Sequence, residues 1–374
     1  MTAPITAITM PKWGLTMTEG KVVQWLKQPG ASFAPGEELL EIETSKITNV
    51  VEADAAGMLS RIVAPEGTTL PIGALLAVIA PAGTPAAEID AFVAQFVVVE
   101  PVDAAGEDVT AVVPRELQVL GRTLRCLELG SGDAAPVLLL HGFGADLNSW
   151  MFNQPALRES RRTLALELPG HGLSSKDVGA GDAAFLTNVI EAALVALDVE
   201  RAHVVGHSMG GALAVLLAAR RPDAVATLTL LASAGLGPDI NTGFIDAFVR
   251  ASRRKEAVEA LQVLVHDPSL ISRAMVEDFL RYKRLDGVAK ALETVARAWF
   301  PQGQQAVNVV AALRALAMPV QVIWGRDDRI IPVAHSAAAA PSAQVRVLGD
   351  VGHLPHMEKA GEVNRLIRAV IDQD

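Results

Sequence analysis

A single cysteine stands in 374 residues. Cys126 therefore closes no internal disulfide, and no base beside it would hold it as a thiolate; it reads as a buried strand residue. Aromatic side chains are scarce too, at 4% against 51% hydrophobic residues in all. Much of the apolar content is alanine, yet sizeable cores remain within reach. Positive charge is in deficit: 32 Lys and Arg face 42 Asp and Glu, a formal net charge of −10. Gripping a phosphate backbone needs a basic stripe, so no nucleic-acid partner is expected. No block of like charge forms a tail. No apolar run reaches the roughly 20 residues that span a bilayer, and residues 1–11 lack the basic region and apolar run of a signal peptide. The expected location is the cytoplasm, with no membrane partner. No solenoid-length repeat is visible, and no metal site is expected.

What is present divides into unlike halves, in keeping with a length that suggests two or three domains. Residues 1–80 carry short apolar runs (5–10, 20–26, 39–42, 47–51, 57–62 and 75–79) separated by Gly and Pro signals such as Pro29-Gly30 and Pro35-Gly36. Many short strands at even spacing predict a small sandwich or flattened barrel. Such a domain offers no polar cluster in a pocket and reads as a carrier or binding module. From about residue 115, apolar strands (137–140, 163–166, 203–205, 227–231, 320–324 and 344–347) alternate with helical stretches, of which 186–197, 211–220 and 360–371 are the clearest. That alternation predicts a parallel sheet with helices on both faces. Residues 238–300 are helical and charged and read as a cap inserted over the sheet. The intervening residues 81–114 begin as a linker, with a short helix expected at 86–96.

The most specific local signal is Gly206-His207-Ser208-Met209-Gly210. It follows a strand and opens a helix, the context that a G-x-S-x-G nucleophile elbow requires. The turn is so sharp that side chains at the flanking positions would collide with sheet and helix. Three further segments follow their own strands. His141-Gly142-Phe143-Gly144 can aim the Phe143 N–H at a developing oxyanion, with the Met209 N–H as second donor. Gly325-Arg326-Asp327-Asp328 sits where an acid belongs, and Gly352-His353 where a base belongs. The order Ser, Asp, His is the one expected for this fold. Ser208 is thus the expected nucleophile, His353 the base and Asp328, preferred over Asp327, the residue that fixes the imidazole tautomer. His356 rivals His353 but lacks the preceding glycine; His207 reads as structural. In the first half, one lysine, Lys46, occupies the expected hairpin tip of "EIETSKITNV". Solubility alone would explain a lysine there; covalent attachment of a carried group is the sharper reading.

These motifs resemble two known families. Residues from about 115 to 374, with "HGFGADLNSW" and "LELPGHGLS" beside the Ser, Asp and His segments, look like an α/β-hydrolase; Glu167 stands where that family more often has Asp. Residues 1–80 look like a lipoyl domain, through "MPKWGLTMTEG", "IETSKI", the Pro35-Gly36 turn and Gly57. Ser45 replaces the Asp common before the modified lysine. Biotinyl carriers flank their lysine with methionines, and Lys46 has none, so the resemblance implies lipoate on Lys46. The expected architecture is a small all-β lipoyl sandwich (1–80), a linker (81–114) and an α/β-hydrolase domain (115–374) with a helical cap.

The combination is similar to acetyltransferase components of acetoin-cleaving dehydrogenase complexes. That resemblance implies acetyl transfer from lipoyl-Lys46 through Ser208 to CoA. It also implies partners: a thiamine-diphosphate-dependent acetoin-cleaving component, a dihydrolipoamide dehydrogenase and a lipoate-attaching enzyme. The His-x-x-x-Asp-Gly motif of 2-oxoacid dehydrogenase acyltransferase cores is absent, since Tyr282 precedes the only Asp-Gly pair, Asp286-Gly287. Two other readings stay open: a plain esterase or thioesterase with an appended lipoyl carrier, and a non-catalytic carrier or scaffold. The basic residues Arg250, Arg253, Arg254, Lys255, Lys283 and Arg284 of the cap either form a solvated helix face or meet CoA phosphates.

Overall fold

The computed structural model describes residues 5–11, 13, 17–44, 48–53, 55–96, 113–339 and 341–373. Lys46 and the apolar 97–99 lie outside them. The chain forms two compact units, largely residues 1–112 and largely residues 113–374.

The first unit holds eight strands: β1 (Thr6–Thr9), β2 (Glu19–Trp25), β3 (Ser32–Phe33), β4 (Glu38–Glu43), β5 (Thr48–Glu52), β6 (Gly57–Ile62), β7 (Thr69–Pro71) and β8 (Leu75–Ile79). They form two four-stranded antiparallel sheets, ordered β1-β8-β6-β3 and β5-β4-β2-β7. Inward residues of both, among them Ile8, Leu59 and Leu76 from one and Val22, Leu40 and Ile42 from the other, make one core. This is the sandwich expected from the sequence. In β2 the buried positions run Gly20, Val22, then Trp25. A bulge between Val22 and Gln24 adds one residue and restores Trp25 to the core face. Its indole N–H donates to Ala64 O at 2.9 Å, so the buried polar atom is satisfied. The expected linker opens with a helix, α1 (Ala86–Gln95), which buries Ile89 and pairs Asp90 with Arg61 of β6.

The second unit is built on eight strands: β9 (Arg115–Val119), β10 (Arg122–Leu129), β11 (Val137–Leu140), β12 (Thr163–Glu167), β13 (Ala202–His207), β14 (Val225–Leu231), β15 (Val320–Gly325) and β16 (Gln344–Leu348). Their order in the sheet is β16-β15-β14-β13-β11-β12-β10-β9. The pairings from β12 to β16 are parallel, while β9 and β10 form an antiparallel edge. Every residue of β11, β13, β14 and β15 is buried, as a sheet covered on both faces requires. The helices are α2 (Gln154–Leu157), α3 (Ala183–Ala196), α4 (Met209–Arg220), α5 (Thr242–Arg250), α6 (Arg254–Gln262), α7 (Arg273–Lys283), α8 (Val288–Trp299), α9 (Val310–Ala315), α10 (Pro355–Glu358) and α11 (Ala360–Ile371). Nine of the twelve residues of α4 are buried. At about 1.5–3 kcal/mol for each large aliphatic side chain removed from water, Leu213, Val215 and Leu217 alone anchor this helix firmly. Helices α5 to α9 are inserted between β14 and β15. Among the described residues no helix is long and apolar enough to cross a membrane.

Candidate active site

Three strand ends converge. Strand β13 runs into Ser208, whose backbone sits at φ 52° and ψ −117°, and α4 begins at Met209. Holding a non-glycine residue there costs about 1–3 kcal/mol, which the surroundings must offset. They do so through hydrogen bonds: Ser208 N donates to Leu231 O of β14 at 2.9 Å, and Ser208 O accepts from Ala234 N at 2.9 Å. The flanking glycines are dictated by backbone contact. A Cβ on Gly206 would lie 2.4 Å from Gly210 O, and one on Gly210 would lie 2.2 Å from Leu140 O. These atoms cannot swing aside as a side chain could.

The loop after β11 lies against the serine: a Cβ on Gly142 would come within 3.0 Å of Ser208 Cβ. His141 fixes this loop. Its Nδ1 meets Gly142 O at 2.9 Å and its Nε2 accepts from Leu168 N at 3.0 Å, so the proton resides on Nδ1. Burial lowers the His141 pKa, which keeps the ring in that neutral form. Neither the Phe143 N–H nor the Met209 N–H donates to a protein group among the described residues. Met209 opens α4, where amide hydrogens have no partner within the helix. Both N–H groups are thus without a protein acceptor among the described residues.

The loops after β15 and β16 bring Asp328 to His353. Asp328 Oδ2 lies 2.8 Å from His353 Nδ1, and both side chains are almost wholly buried. The carboxylate also accepts from Trp324 Nε1 at 3.0 Å, Ile330 N at 2.8 Å and Ile331 N at 3.0 Å. Asp327 points elsewhere and meets His266 Nδ1 at 2.9 Å on exposed surface. Together with Asp350, that pair places three donor atoms within 4.8 Å of one another, all on exposed residues. His353 is held near Ser208 by the serine's neighbour: His207 Nε2 meets His353 O at 2.8 Å, and the two rings lie 4.9 Å apart. No hydrogen bond joins Ser208 Oγ to His353 among the described residues.

Two other histidines, His356 and His207, lie close to His353 and are kept neutral by burial. His356 is fully buried between Trp150, 4.8 Å away, and His207, 4.5 Å away, and neither ring nitrogen has a hydrogen-bond partner among the described residues. Burial, with His353 nearby, pushes its pKa down to about 3. His207 is lowered well below the usual imidazole range, first by burial and then by His356 and His353. Both rings thus add no charge beside the serine at neutral pH. Ser208 itself is 9% exposed. The Phe143 ring packs edge-on against His171 and Phe300 and lies 5.9 Å from Phe248 of α5, so inserted helices wall the site with apolar surface. Phe248 and Phe300 carry no signal in the sequence, since they lie more than 100 residues from Phe143 along the chain and meet it only in the fold. Glu167, the departure noted above, is buried and accepts from Leu173 N at 2.8 Å and Ser174 N at 2.9 Å, so it ties down the 168–174 turn.

For the first half, the pairing of Glu43 with Thr48 closes the β4–β5 hairpin with residues 44–47 as its connection. Lys46 belongs to that connection and lies outside the described residues.

An eight-stranded sheet of this order, with an elbow serine after β13 and an acid and histidine after β15 and β16, defines an α/β-hydrolase. A family model described as the alpha/beta hydrolase fold matches residues 135–360. A second, described as a biotin-requiring enzyme and covering biotin and lipoyl domains, matches residues 6–79. A solved 2-hydroxy-6-oxo-6-phenylhexa-2,4-dienoate hydrolase from Rhodococcus superposes on 70% of this chain and 99% of its own, with TM-score 0.64 and 23% identity, a likeness of fold. Over 367 residues the chain is 44% identical to the dihydrolipoyllysine-residue acetyltransferase component of the acetoin cleaving system of Pseudomonas putida, covering 98% of each. It is 42% identical to the corresponding component of Cupriavidus necator, covering 97% of this chain and 96% of that one. The chain belongs to the family of these acetyltransferase components.

Proposed function

We propose that the protein is the dihydrolipoyllysine-residue acetyltransferase of an acetoin-cleaving complex, with Ser208, His353 and Asp328 as its catalytic residues. The observation that carries the chemistry is the buried His353–Asp328 contact beside an elbow serine with two unused N–H groups. Lipoate on Lys46 fits the first unit: the lysine falls in sequence between the paired strands β4 and β5 of a sandwich whose described interior is apolar, which suits a tethered carrier. The lipoyl group supplies a sulfur on which an acetyl group travels as a thioester. Carrying it on the same chain as Ser208 makes delivery intramolecular, with effective concentrations on the order of millimolar for short flexible linkers.

His353 Nε2 takes the proton of Ser208 as Oγ attacks the acetyl carbonyl carbon. The Phe143 and Met209 N–H groups receive the oxyanion. The C–S bond breaks and His353 returns the proton to the departing sulfur, which leaves acetyl on Ser208. Asp328 keeps the His353 proton on Nδ1 between steps and stabilises the imidazolium. In the second half His353 takes the CoA thiol proton, the thiol sulfur attacks the acetyl carbonyl and Ser208 departs with the proton. Water would intercept the acetyl-serine; Phe143, Phe248 and Phe300 close apolar surface over the site and limit that loss. The finer partners follow from the chemistry of the family: a thiamine-diphosphate-dependent component that cleaves acetoin, a dihydrolipoamide dehydrogenase that reoxidises the dithiol and an enzyme that attaches lipoate. Acetyl-dihydrolipoamide offered with and without CoA tests the reading. Acetyl-CoA formed faster than free acetate supports it; acetate alone, whatever the CoA concentration, points to a thioesterase.

A further inference from the structure

The cap contains a groove of about 580 Å³ between α5 and α6. One wall is a stripe of α5, with Gly243, Ala247 and Arg250 spaced at i, i+4 and i+7; Arg253 and Glu256 close the other side. Of the six basic residues singled out in the cap, three are engaged. Lys283 Nζ donates to Val249 O at 2.6 Å at the end of α5, Arg254 lies 3.6 Å from Glu277, and Lys255 lies 3.8 Å from Glu259. The guanidinium groups of Arg250 and Arg253 donate no hydrogen bond and make no ion pair within 4.0 Å among the described residues, although the Arg253 charge helps to hold the Glu256 carboxyl below its usual range. The acidic groups of the groove are committed: Glu256 accepts from Ser252 N at 3.0 Å and Arg253 N at 3.1 Å, and Glu259 faces Lys255. Two exposed guanidiniums thus face one concave surface, with charge and donors to spare for oxyanions.

The groove is also connected to the chemistry. Phe244, in its wall, touches Phe248 at 5.5 Å between ring centroids, and Phe248 touches Phe143 of the oxyanion loop at 5.9 Å. Helix α5 thus carries both groove-lining residues and the ring that meets the loop beside Ser208.

Resting on the reading of CoA as acetyl acceptor, we infer that this groove binds the phosphate-bearing nucleotide end of CoA through Arg250 and Arg253. The long uncharged pantetheine arm then passes α5 to bring its thiol to Ser208. Phosphate oxygens match the fork of a guanidinium, and a charged head held at the cap with a neutral arm inside avoids burying charge beside the acetyl-serine.

The full chain and its Arg250→Ala/Arg253→Ala variant would be titrated calorimetrically with adenosine 3′,5′-bisphosphate, and the KM for CoA compared with that for pantetheine, which lacks the phosphates. The inference expects the bisphosphate to bind the native chain and to lose at least about tenfold in affinity in the variant, with the KM for CoA rising by a similar factor while that for pantetheine holds. Equal losses for CoA and pantetheine, or bisphosphate binding undiminished by the substitutions, would overturn it. A native chain that binds the bisphosphate at the groove yet forms no acetyl-CoA would keep the groove and refute the transferase reading. Efficient acetyl-CoA formation with no change in KM for CoA in the variant would do the reverse.

Discussion

Replacing Asp328 by asparagine separates chemistry from folding. The native carboxylate accepts four hydrogen bonds, from His353 Nδ1, Trp324 Nε1, Ile330 N and Ile331 N. An asparagine of nearly equal volume can keep its oxygen toward Ile330 and Ile331. Its NH₂ group then faces His353 and the Trp324 indole. At Trp324 donor meets donor, but that indole retains Ile331 O at 3.2 Å, so the folding cost should stay at about 1–3 kcal/mol. At His353 the new donor obliges Nδ1 to accept, which moves the ring proton to Nε2. The base then presents a hydrogen to Ser208 where it should present a lone pair. The expected loss in kcat is about 10⁴-fold, equivalent to about 5 kcal/mol of barrier. The assay is single-turnover acetyl transfer from acetyl-dihydrolipoamide at 25 °C, with thermal melting beside it to show that the variant is folded. Asp327→Asn is the control: it disturbs only an exposed contact with His266 and should change the rate less than threefold, since exposed pairs contribute about 0–1 kcal/mol. A folded Asp328→Asn variant within tenfold of the native rate would refute this reasoning.

Gly210→Ala should cost at least about 3 kcal/mol, read from the denaturant midpoint, because its Cβ would sit 2.2 Å from Leu140 O; Gly349→Ala, with nothing within 4 Å, should change little. Acid should destabilise the second unit well before its carboxylates titrate. His171 and His356 are buried with pKa values lowered to about 3, while the unfolded chain protonates near 6.5. Their contribution is whole above about pH 7 and is lost as pH falls from 6.5 toward 3, by roughly 2 kcal/mol each at pH 5. An unfolding midpoint that stays flat from pH 8 to pH 5 would contradict this. Lys46→Ala should remove one lipoyl mass from the intact protein and stop transfer of chain-borne acetyl, while free acetyl-dihydrolipoamide is still consumed.

The parts of the fold that the sequence reveals are those where one physical constraint acts alone. The buried strands β11, β13, β14 and β15 stand out as apolar runs because helices cover both faces of the sheet. The glycines at 206 and 210 stand out because backbone contact leaves no room for a side chain. The antiparallel edge formed by β9 and β10 did not stand out: "RELQV" and "RTLRCLEL" alternate charged with apolar residues, and only Cys126 was read as a strand position there. Strands β3 and β7, two and three residues long, are fixed by their pairing partners and leave no local pattern. In the site, Ser208, Asp328 and His353 can be picked out because each follows its own strand. The contacts that position them cannot, even where the residue, as with His207, already reads as structural. His207 holds the His353 backbone across 146 positions, and Phe248 and Phe300 reach Phe143 from separate parts of the insertion. Contacts of that kind are set by tertiary packing, to which spacing along a chain is blind.

The most direct test of the central claim is rapid-quench mass spectrometry of the lipoylated protein, supplied with acetyl on its lipoyl group and no CoA. The account predicts one acetyl increment on the peptide that contains Ser208, discharged as acetyl-CoA when CoA is added, and absent from the Ser208→Ala variant. Transfer to CoA at the native rate by that variant, with no acetyl ever found on the serine peptide of the native protein, would contradict it.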